Sequence, residues 1–459
     1  MLRLFIIPLM LLLAISNALA QTKSWSLDEC VQYAKEHNVD IKSKRLDIET
    51  SKTNLSESKW AYAPSLSANN SYNVSQGRVL DPTTYEFIEN QTVGGNSTSV
   101  SASMTLFDGL RNLNTIKREK LNLNSATLGV EKAENDLMLN VTAYYLEILL
   151  AKENVANYEQ VEESLTTQRD NIAKMVEVGK VTTADLLQVE SQLADAKTNL
   201  LTAKNQLYIA KLNICQLLEI EDYMSFETAE ADSMLATPLV SLHSVDDILQ
   251  SAESLPELES ARLAIDIKKR DLNIARSQYY PSISLSASYG SSYSSVRQKS
   301  FQNPDGTFKY EAYPFAEQYR DNLNGYLSVG ISIPIFNRFS TLKSVQRSKI
   351  VIHQAEYSLH SMEKQVSKEV NQAYIDMNIA WEKYNSTKLY LTSSTEAVRQ
   401  IEKKYSVGAA TIVDYNTAMN NYIDASSKHS QAKYEYIFKT RIIQFYMSYL
   451  KQNSRFKYN

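Results

Sequence analysis

Few side chains in this sequence are placed to do chemistry, and their spacing suits charge and packing better than bond-making. Asp185 and Asp414 each lie shortly after a Val-Gly pair, Val178-Gly179 and Val407-Gly408. A carboxylate at the start of a helix satisfies free backbone amides, so both aspartates read as helix N-caps. Gly179 and Gly408 read as left-handed residues that end the preceding helices. Tyr405, three residues before Gly408, reads as helix packing. There is no Gly-x-x-x-x-Gly-Lys phosphate loop, no His-Glu-x-x-His and no Cys-x-x-Cys. Gly94-Gly95 is isolated and reads as a loop. The five histidines are scattered, and His429 sits where an earlier copy of the same pattern has Leu200. No catalytic residue, metal site or cofactor is expected, and the chain is not read as an enzyme.

Those aspartates and glycines belong to a sequence written twice. Leu106-Phe107-Asp108 matches Ile335-Phe336-Asn337, Val178-Gly179 matches Val407-Gly408, and Asp185 matches Asp414. The differences 336 − 107, 408 − 179 and 414 − 185 all equal 229. Pro64 and Pro281 differ by 217 instead, so one tolerant loop lies between the proline and the phenylalanine. Each copy reads as a short helix, a second helix, two strands around a loop, a very long helix, a turn and a final helix. Ser26-Leu27-Asp28-Glu29 and Ser244-Val245-Asp246-Asp247 mark the helix starts. The expected divisions are a first repeat over 21–219, a linker over 220–243, a second repeat over 244–450 and a tail over 451–459.

The strands are predicted near 64–76, 97–107, 281–293 and 324–336. In each, apolar and polar residues alternate with period two, which gives one apolar and one polar face. Leu66, Ala68, Tyr72 and Val74 oppose Ser65, Ser67, Asn69 and Ser71; Leu285 and Val329 oppose Ser286 and Ser328. Segments near ten residues with this alternation are the mark of a membrane barrel, with the apolar face to lipid. Four strands cannot close around a lumen, and open edges are forbidden in lipid. Two chains give eight strands and three give twelve; an eight-stranded interior fills with side chains, so a conduit favours three or more chains. The loops at about 77–95 and 297–321 are expected outside the cell. The second carries Phe301, Phe308, Tyr310, Tyr313, Phe315 and Tyr319, suited to capping the mouth or anchoring in lipid.

Long helices are predicted over about 109–177 and 338–406, the second without glycine or proline. After the turn, Leu186, Val189, Leu193, Ala196, Leu200, Ala203 and Leu207 keep a seven-residue repeat of large and small residues. Residues 1–20 read as a secretory signal: apolar, with Arg3 as the one charge and Ala18-Leu19-Ala20 as a cleavage site. Beyond it no apolar run is long enough for a spanning helix. Charge is nearly balanced, 48 basic against 52 acidic residues, which argues against a nucleic-acid partner. Only 11 glycines and 9 prolines occur, too few for an all-β protein. Cys30 and Cys215, in an exported chain, are left open as a pair.

The duplicated plan, Tyr279-Tyr280-Pro281-Ser282-Ile283, Phe336-Asn337, and Tyr405-Ser406-Val407-Gly408 followed by Thr411-Ile412-Val413-Asp414 resemble the TolC family of trimeric outer-membrane channel proteins. The resemblance covers essentially all of the chain after its signal. It implies a mainly α fold with a membrane β-barrel: a trimeric 12-stranded barrel continued by a 12-column periplasmic α-helical barrel. It implies a bacterial outer-membrane location extending into the periplasm. It implies a passive conduit working with a periplasmic adaptor and an inner-membrane transporter. Residues 220–243 and the tail would form an equatorial belt. Asp414 falls on a position where acidic side chains ring the periplasmic entrance; a second such position is Thr417. Tyr405 and Asp185 fall on contacts that tie the two repeats at the tip, while the matching arginine position is Ala410. The alternative is a periplasmic coiled-coil scaffold or adhesin stalk without a pore.

Overall fold

The computed structural model describes residues 24–80, 83, 85–229 and 244–456. The signal sequence and most of the 220–243 linker lie outside these residues, as do 457–459 of the tail.

The chain order is β1 (Ser24–Trp25), α1 (Leu27–His37), α2 (Val39–Trp60), β2 (Ser65–Leu80), β3 (Phe87–Phe107), α3 (Arg111–Glu177), α4 (Thr183–Leu218) and β4 (Glu227–Thr228). The second half supplies α5 (Val245–Ala252), α6 (Pro256–Ser277), β5 (Ser282–Ser294), β6 (Gln298–Gln302), β7 (Phe308–Ala312), α7 (Phe315–Asp321), β8 (Asn324–Ser332), α8 (Ser340–Ser406) and α9 (Ile412–Phe456). Both α3 and α8 have 67 residues, about 100 Å each at ~1.5 Å per residue. Among the described residues no helix is long and apolar enough to cross a membrane.

Contacts divide the chain into two units. One comprises Met1–Asp47, Ala126–Arg262 and Ser358–Asn459; the other Ile48–Ser125 and Leu263–Tyr357. The first unit is helical and carries the repeat in its core. Leu137, Val141, Ile148 and Ala151 are buried on α3, and their copies 229 residues on, Val366, Val370, Met377 and Ala380, are buried on α8. Around the first set gather Leu27, Cys30 and Ala34 of α1 with Ile214 and Leu218 of α4. Around the second gather Ile248, Ala252 and Leu255 with Tyr436 and Ile443 of α9. Each short helix starts with a capping box, Ser26 with Glu29 and Ser244 with Asp247. Cys30 and Cys215 are both buried free thiols, and burial pushes the Cys215 thiol up to about 11.

Two polar ties bind this unit. Glu153 of α3 accepts from Ser430 Oγ (2.7 Å), Lys433 Nζ (2.8 Å) and Tyr434 Oη (2.9 Å) of α9. Burial works upward on this carboxyl, but the three donors outweigh it and hold it below the usual glutamate range. Glu227 accepts from Lys152 (2.6 Å) and Lys211 (2.7 Å), next to the parallel pairing of β4 with β1. Within the expected linker 220–243, the described residues 220–229 thus include a short strand, Glu227–Thr228. His429 is packed, with its ring 5.3 Å from that of Tyr384, and burial lowers its pKa.

The second unit holds an antiparallel four-stranded sheet in the order β2-β3-β5-β8. Its register aligns like with like across all four strands. Leu66, Ala102, Ala287 and Leu327 form one row, and Ser65, Ser103, Ser286 and Ser328 the next. The serine rows bond across strands, Ser65 Oγ to Ser103 Oγ at 2.9 Å and Ser101 Oγ to Ser288 Oγ at 3.0 Å. The apolar rows have nothing over them: Leu66 is 75% exposed, Leu327 73% and Ile331 65%.

Several sequence expectations change here. The first two strands run past 76 and start before 97, absorbing most of the expected loop 77–95. Gly94-Gly95 therefore lies in β3, not in a loop. A Cβ on Gly94 would sit 2.7 Å from the Tyr72 hydroxyl, so the glycine makes room for a ring crossing from β2. The fourth strand stops at Ser332, two residues short of Pro334, which has no amide to continue the ladder. The expected tail is helical as far as Phe456, as the end of α9. The loop 297–321 contains a hairpin and a helix.

Candidate functional site

The tips of the two helical hairpins carry the singled-out residues, of which Tyr405 and Asp185 come close enough to interact, and their backbones are built alike. At the end of α3, Gly179 (φ 73°) donates to Val176 O at 2.9 Å and Lys180 to Met175 O at 2.9 Å. At the end of α8, Gly408 (φ 75°) donates to Tyr405 O at 3.0 Å and Ala409 to Lys404 O at 2.7 Å. Both are the Schellman arrangement, in which a left-handed residue lets the last helical carbonyls find donors. The next helix then starts with a capping box. Thr182 N donates to Asp185 Oδ2 at 2.9 Å, and Thr411 N to Asp414 Oδ2 at 2.9 Å. In return the amides of Asp185 and Asp414 reach the threonine hydroxyls at 3.3 and 3.2 Å. The threonines are the caps, and each aspartate is the third helical residue completing the box. That corrects the reading of the aspartates as N-caps by three positions.

Since a Cβ at Gly179 or Gly408 would meet nothing within 4 Å, only the backbone opposes substitution. Gly179→Ala and Gly408→Ala are each expected to cost about 1–2 kcal/mol. Thermal or urea unfolding of the two variants measures this; a cost at one site alone would deny that the tips are equivalent.

Asp414 is exposed and Asp185 half-buried, and both titrate below the usual aspartate range. For Asp185 the Thr182 hydroxyl is the larger cause and its amide the next; for Asp414 the Thr411 amide comes first, then its hydroxyl. Asp414 and Thr417 share an exposed face of α9, and the Thr417 hydroxyl donates back to Val413 O at 2.8 Å. Tyr405 packs with Ile172, Val189 and Ile412, the buried members of the tip cluster, and lies 6.0 Å from the Tyr415 ring. Burial first, then the charge of Asp185, pushes its phenol above the ordinary value. Asp185 is thus a charge neighbour of Tyr405, while its Oδ2 is engaged by Thr182. Three buried side chains hold the tips, against seventeen in the core near α1.

A groove of about 750 Å³ runs beside this cluster, lined among others by Gln168, Lys174, Glu402, Tyr405 and Tyr415. Both amide atoms of Gln168 are buried there without a hydrogen-bond partner. Sequence reading missed Gln168. Its signal is the spacing Val161, Leu165, Gln168, Ile172, a seven-residue repeat with one polar residue on the packing face. Asn416, beside Thr417, likewise buries both amide atoms unpartnered and lines a cavity of about 220 Å³.

Comparison with known proteins agrees with this architecture. A sequence profile described as outer membrane efflux protein matches residues 30–218 and 248–439, one stretch in each repeat. Outer membrane protein TolC of Escherichia coli (strain K12) is 23% identical over 447 residues, covering 94% of this chain and 84% of that protein. The alkaline protease secretion protein AprF of Pseudomonas aeruginosa is 22% identical over 399 residues, 83% of this chain and 76% of that protein. The crystal structure of the Campylobacter jejuni CmeC outer membrane channel superposes with a TM-score of 0.74 at 16% identity, covering 92% of this chain and 85% of that one.

Proposed function

The chain belongs to the outer membrane efflux protein family, and from that premise we propose that three copies form the outer-membrane conduit of a three-part export system. The observation that carries the reading is the four-stranded sheet. One face is a continuous apolar surface, left bare along its rows of leucine, alanine, valine and isoleucine, the other is lined by serine, and β2 and β8 are its outer strands. In lipid both edges must be paired. Three chains joining β2 to a neighbour's β8 give twelve strands, enough to enclose a lumen, where eight would fill with side chains. The serine face then lines water and the apolar face meets lipid. A periplasmic scaffold or stalk has no use for such a surface.

Two partners follow from the same reading: a periplasmic adaptor and an inner-membrane transporter. The hairpin tips suit the adaptor. Val178 and Val407 are exposed at the two turns, and the groove beside them holds the unpartnered Gln168. An incoming helical tip could bury the valines and bond the amide. Asp414 and Thr417 are assigned to the periplasmic gate, and Tyr405 with Asp185 to the contact that keeps it shut.

The test is extraction of the protein from outer membranes, followed by gel mobility with and without heating and by single-channel recording. A heat-modifiable trimer with discrete conductance is expected. A protein released without detergent, with no conductance, would leave the scaffold as the better account.

A further inference from the structure

The segment between β5 and β8 folds onto the sheet. The Tyr319 hydroxyl of α7 bonds Thr98 Oγ1 at 2.8 Å and also Asn96 Oδ1, and the Tyr319 carbonyl accepts Ser291 Oγ at 2.6 Å. The Phe315 ring lies 4.4 Å from that of Tyr319 and 5.0 Å from that of Tyr293. Gln318, 1% exposed, accepts from Ser294 N and donates to Ser294 O and Tyr313 O, closing off the end of β5.

The register decides which face this is. Thr98 pairs with Ser291 and Asn96 with Tyr293. Stepping by two along the same strands leads to Val100, Ala102 and Met104, and to Tyr289, Ala287 and Leu285. These are the apolar rows, since side chains two apart share a face. So α7 lies on the apolar face and not on the serine face. It begins one row beyond the last apolar pair, Val100 with Tyr289, at the end of the sheet away from the attached helices α2, α3, α6 and α8.

We propose that α7 is a lipid anchor on the outer wall of the barrel, seated at the boundary between acyl chains and headgroups of the outer leaflet, and not a plug across the mouth. The inference rests on the conduit reading, which assigns the apolar face to lipid. Its occupant follows from continuity: Phe315, half-exposed, extends the apolar surface by one more step. The charged side chains of α7 are paired within the segment, Glu317 with Lys299 and Arg320 with Asp321, so the helix presents no unpaired charge of its own to a protein partner. An aromatic body with a polar tip suits the membrane interface. Thr83 of the first loop accepts from Gln298 N at 2.8 Å, so the two loops are tied above the rim.

The experiment uses the full trimer in phosphatidylcholine vesicles. Phe315→Cys and Lys309→Cys are labelled with an environment-sensitive thiol fluorophore; Cys30 and Cys215 are buried and stay unlabelled. The label at 315 is expected to be quenched by lipid carrying a nitroxide near the headgroup and to resist aqueous iodide. The label at 309, on the exposed hairpin, is expected to behave the opposite way. The double variant Phe315→Ala, Tyr319→Phe should keep the wild-type single-channel conductance. Iodide access at 315 without lipid quenching, or a conductance that rises when α7 is loosened, would overturn the anchor in favour of a plug. Wild-type recordings are made first: a wild type that conducts with an iodide-open 315 defeats the anchor alone, whereas a wild type that never conducts defeats the conduit beneath it.

Discussion

Leu285→Arg is expected to abolish accumulation of trimers in the outer membrane, while Ser286→Arg, one residue away, leaves trimers close to wild-type amount. Leu285 stands between Met104 and Val329 in an apolar row; Ser286 stands between Ser103 and Ser328 in a serine row. A cationic side chain facing lipid near the middle of a barrel costs about 2–4 kcal/mol, and a trimer carries three of them. The same side chain on the opposite face stays in lumenal water and costs little. Shifting by one residue flips a strand position to the other face, so the pair isolates facing from local backbone effects. The readout is heat-modifiable trimer in the outer-membrane fraction. Equal loss in both variants would contradict the face assignment, and loss only with Ser286→Arg would invert it.

The barrel sheet was legible because period-two alternation is a local signal that no neighbour has to supply. The repeat was legible for a similar reason: the constant offset of 229 reappears as matched burial, Val141 with Val370 and Ile148 with Met377. The tip capping was also written in the chain, as Thr182-x-x-Asp185 and Thr411-x-x-Asp414, although the aspartate alone points to the wrong residue as cap. Other features depend on side chains far off in sequence. Nothing near Gly94 announces that the Tyr72 ring will cross it, so a glycine pair reads as a turn. Nothing in Phe315-Ala316-Glu317-Gln318-Tyr319 tells which face of the sheet the helix will meet, because that depends on Thr98 and Asn96, more than 200 residues earlier. The strand-to-helix junctions are a third case. Gly109 and Leu110 take positive φ, and so do their copies Arg338 and Phe339, where no glycine gives warning. The repeat imposes the backbone, and the second copy follows it without the usual residue.

The charge of Asp414 is expected to set the ion preference of the closed entrance. On α9 the carboxylate is fully exposed, with Oδ2 held by the amide and hydroxyl of Thr411. Three-fold symmetry repeats any such group three times around the axis, and a ring of negative charge in a narrow pore attracts cations and slows anions. Asp414→Asn is the discriminating change. Asparagine keeps an acceptor oxygen for Thr411, so the capping box survives and the trimer remains stable, while the charge is lost. Cation selectivity and block by divalent cations should then fall several-fold in planar bilayers. The effect should be largest at about 0.01 M salt, where the screening length is roughly 30 Å. Asp185→Asn is the internal control: it sits in an equivalent box on the other hairpin and should leave selectivity as it was. Acidity gives a further check on the sign. A carboxyl whose pKa is depressed keeps its charge above the ordinary aspartate range and loses it as pH falls through the depressed value. Thr411 pulls the pKa down; three carboxylates close together push it up. A selectivity midpoint below the ordinary range means the capping bonds dominate and the aspartates stand well apart. A midpoint above it means they crowd one another at a constriction. If Asp414→Asn keeps the full cation preference and the divalent block, the side chain does not face the pore, and completing the cap of α9 is its whole role.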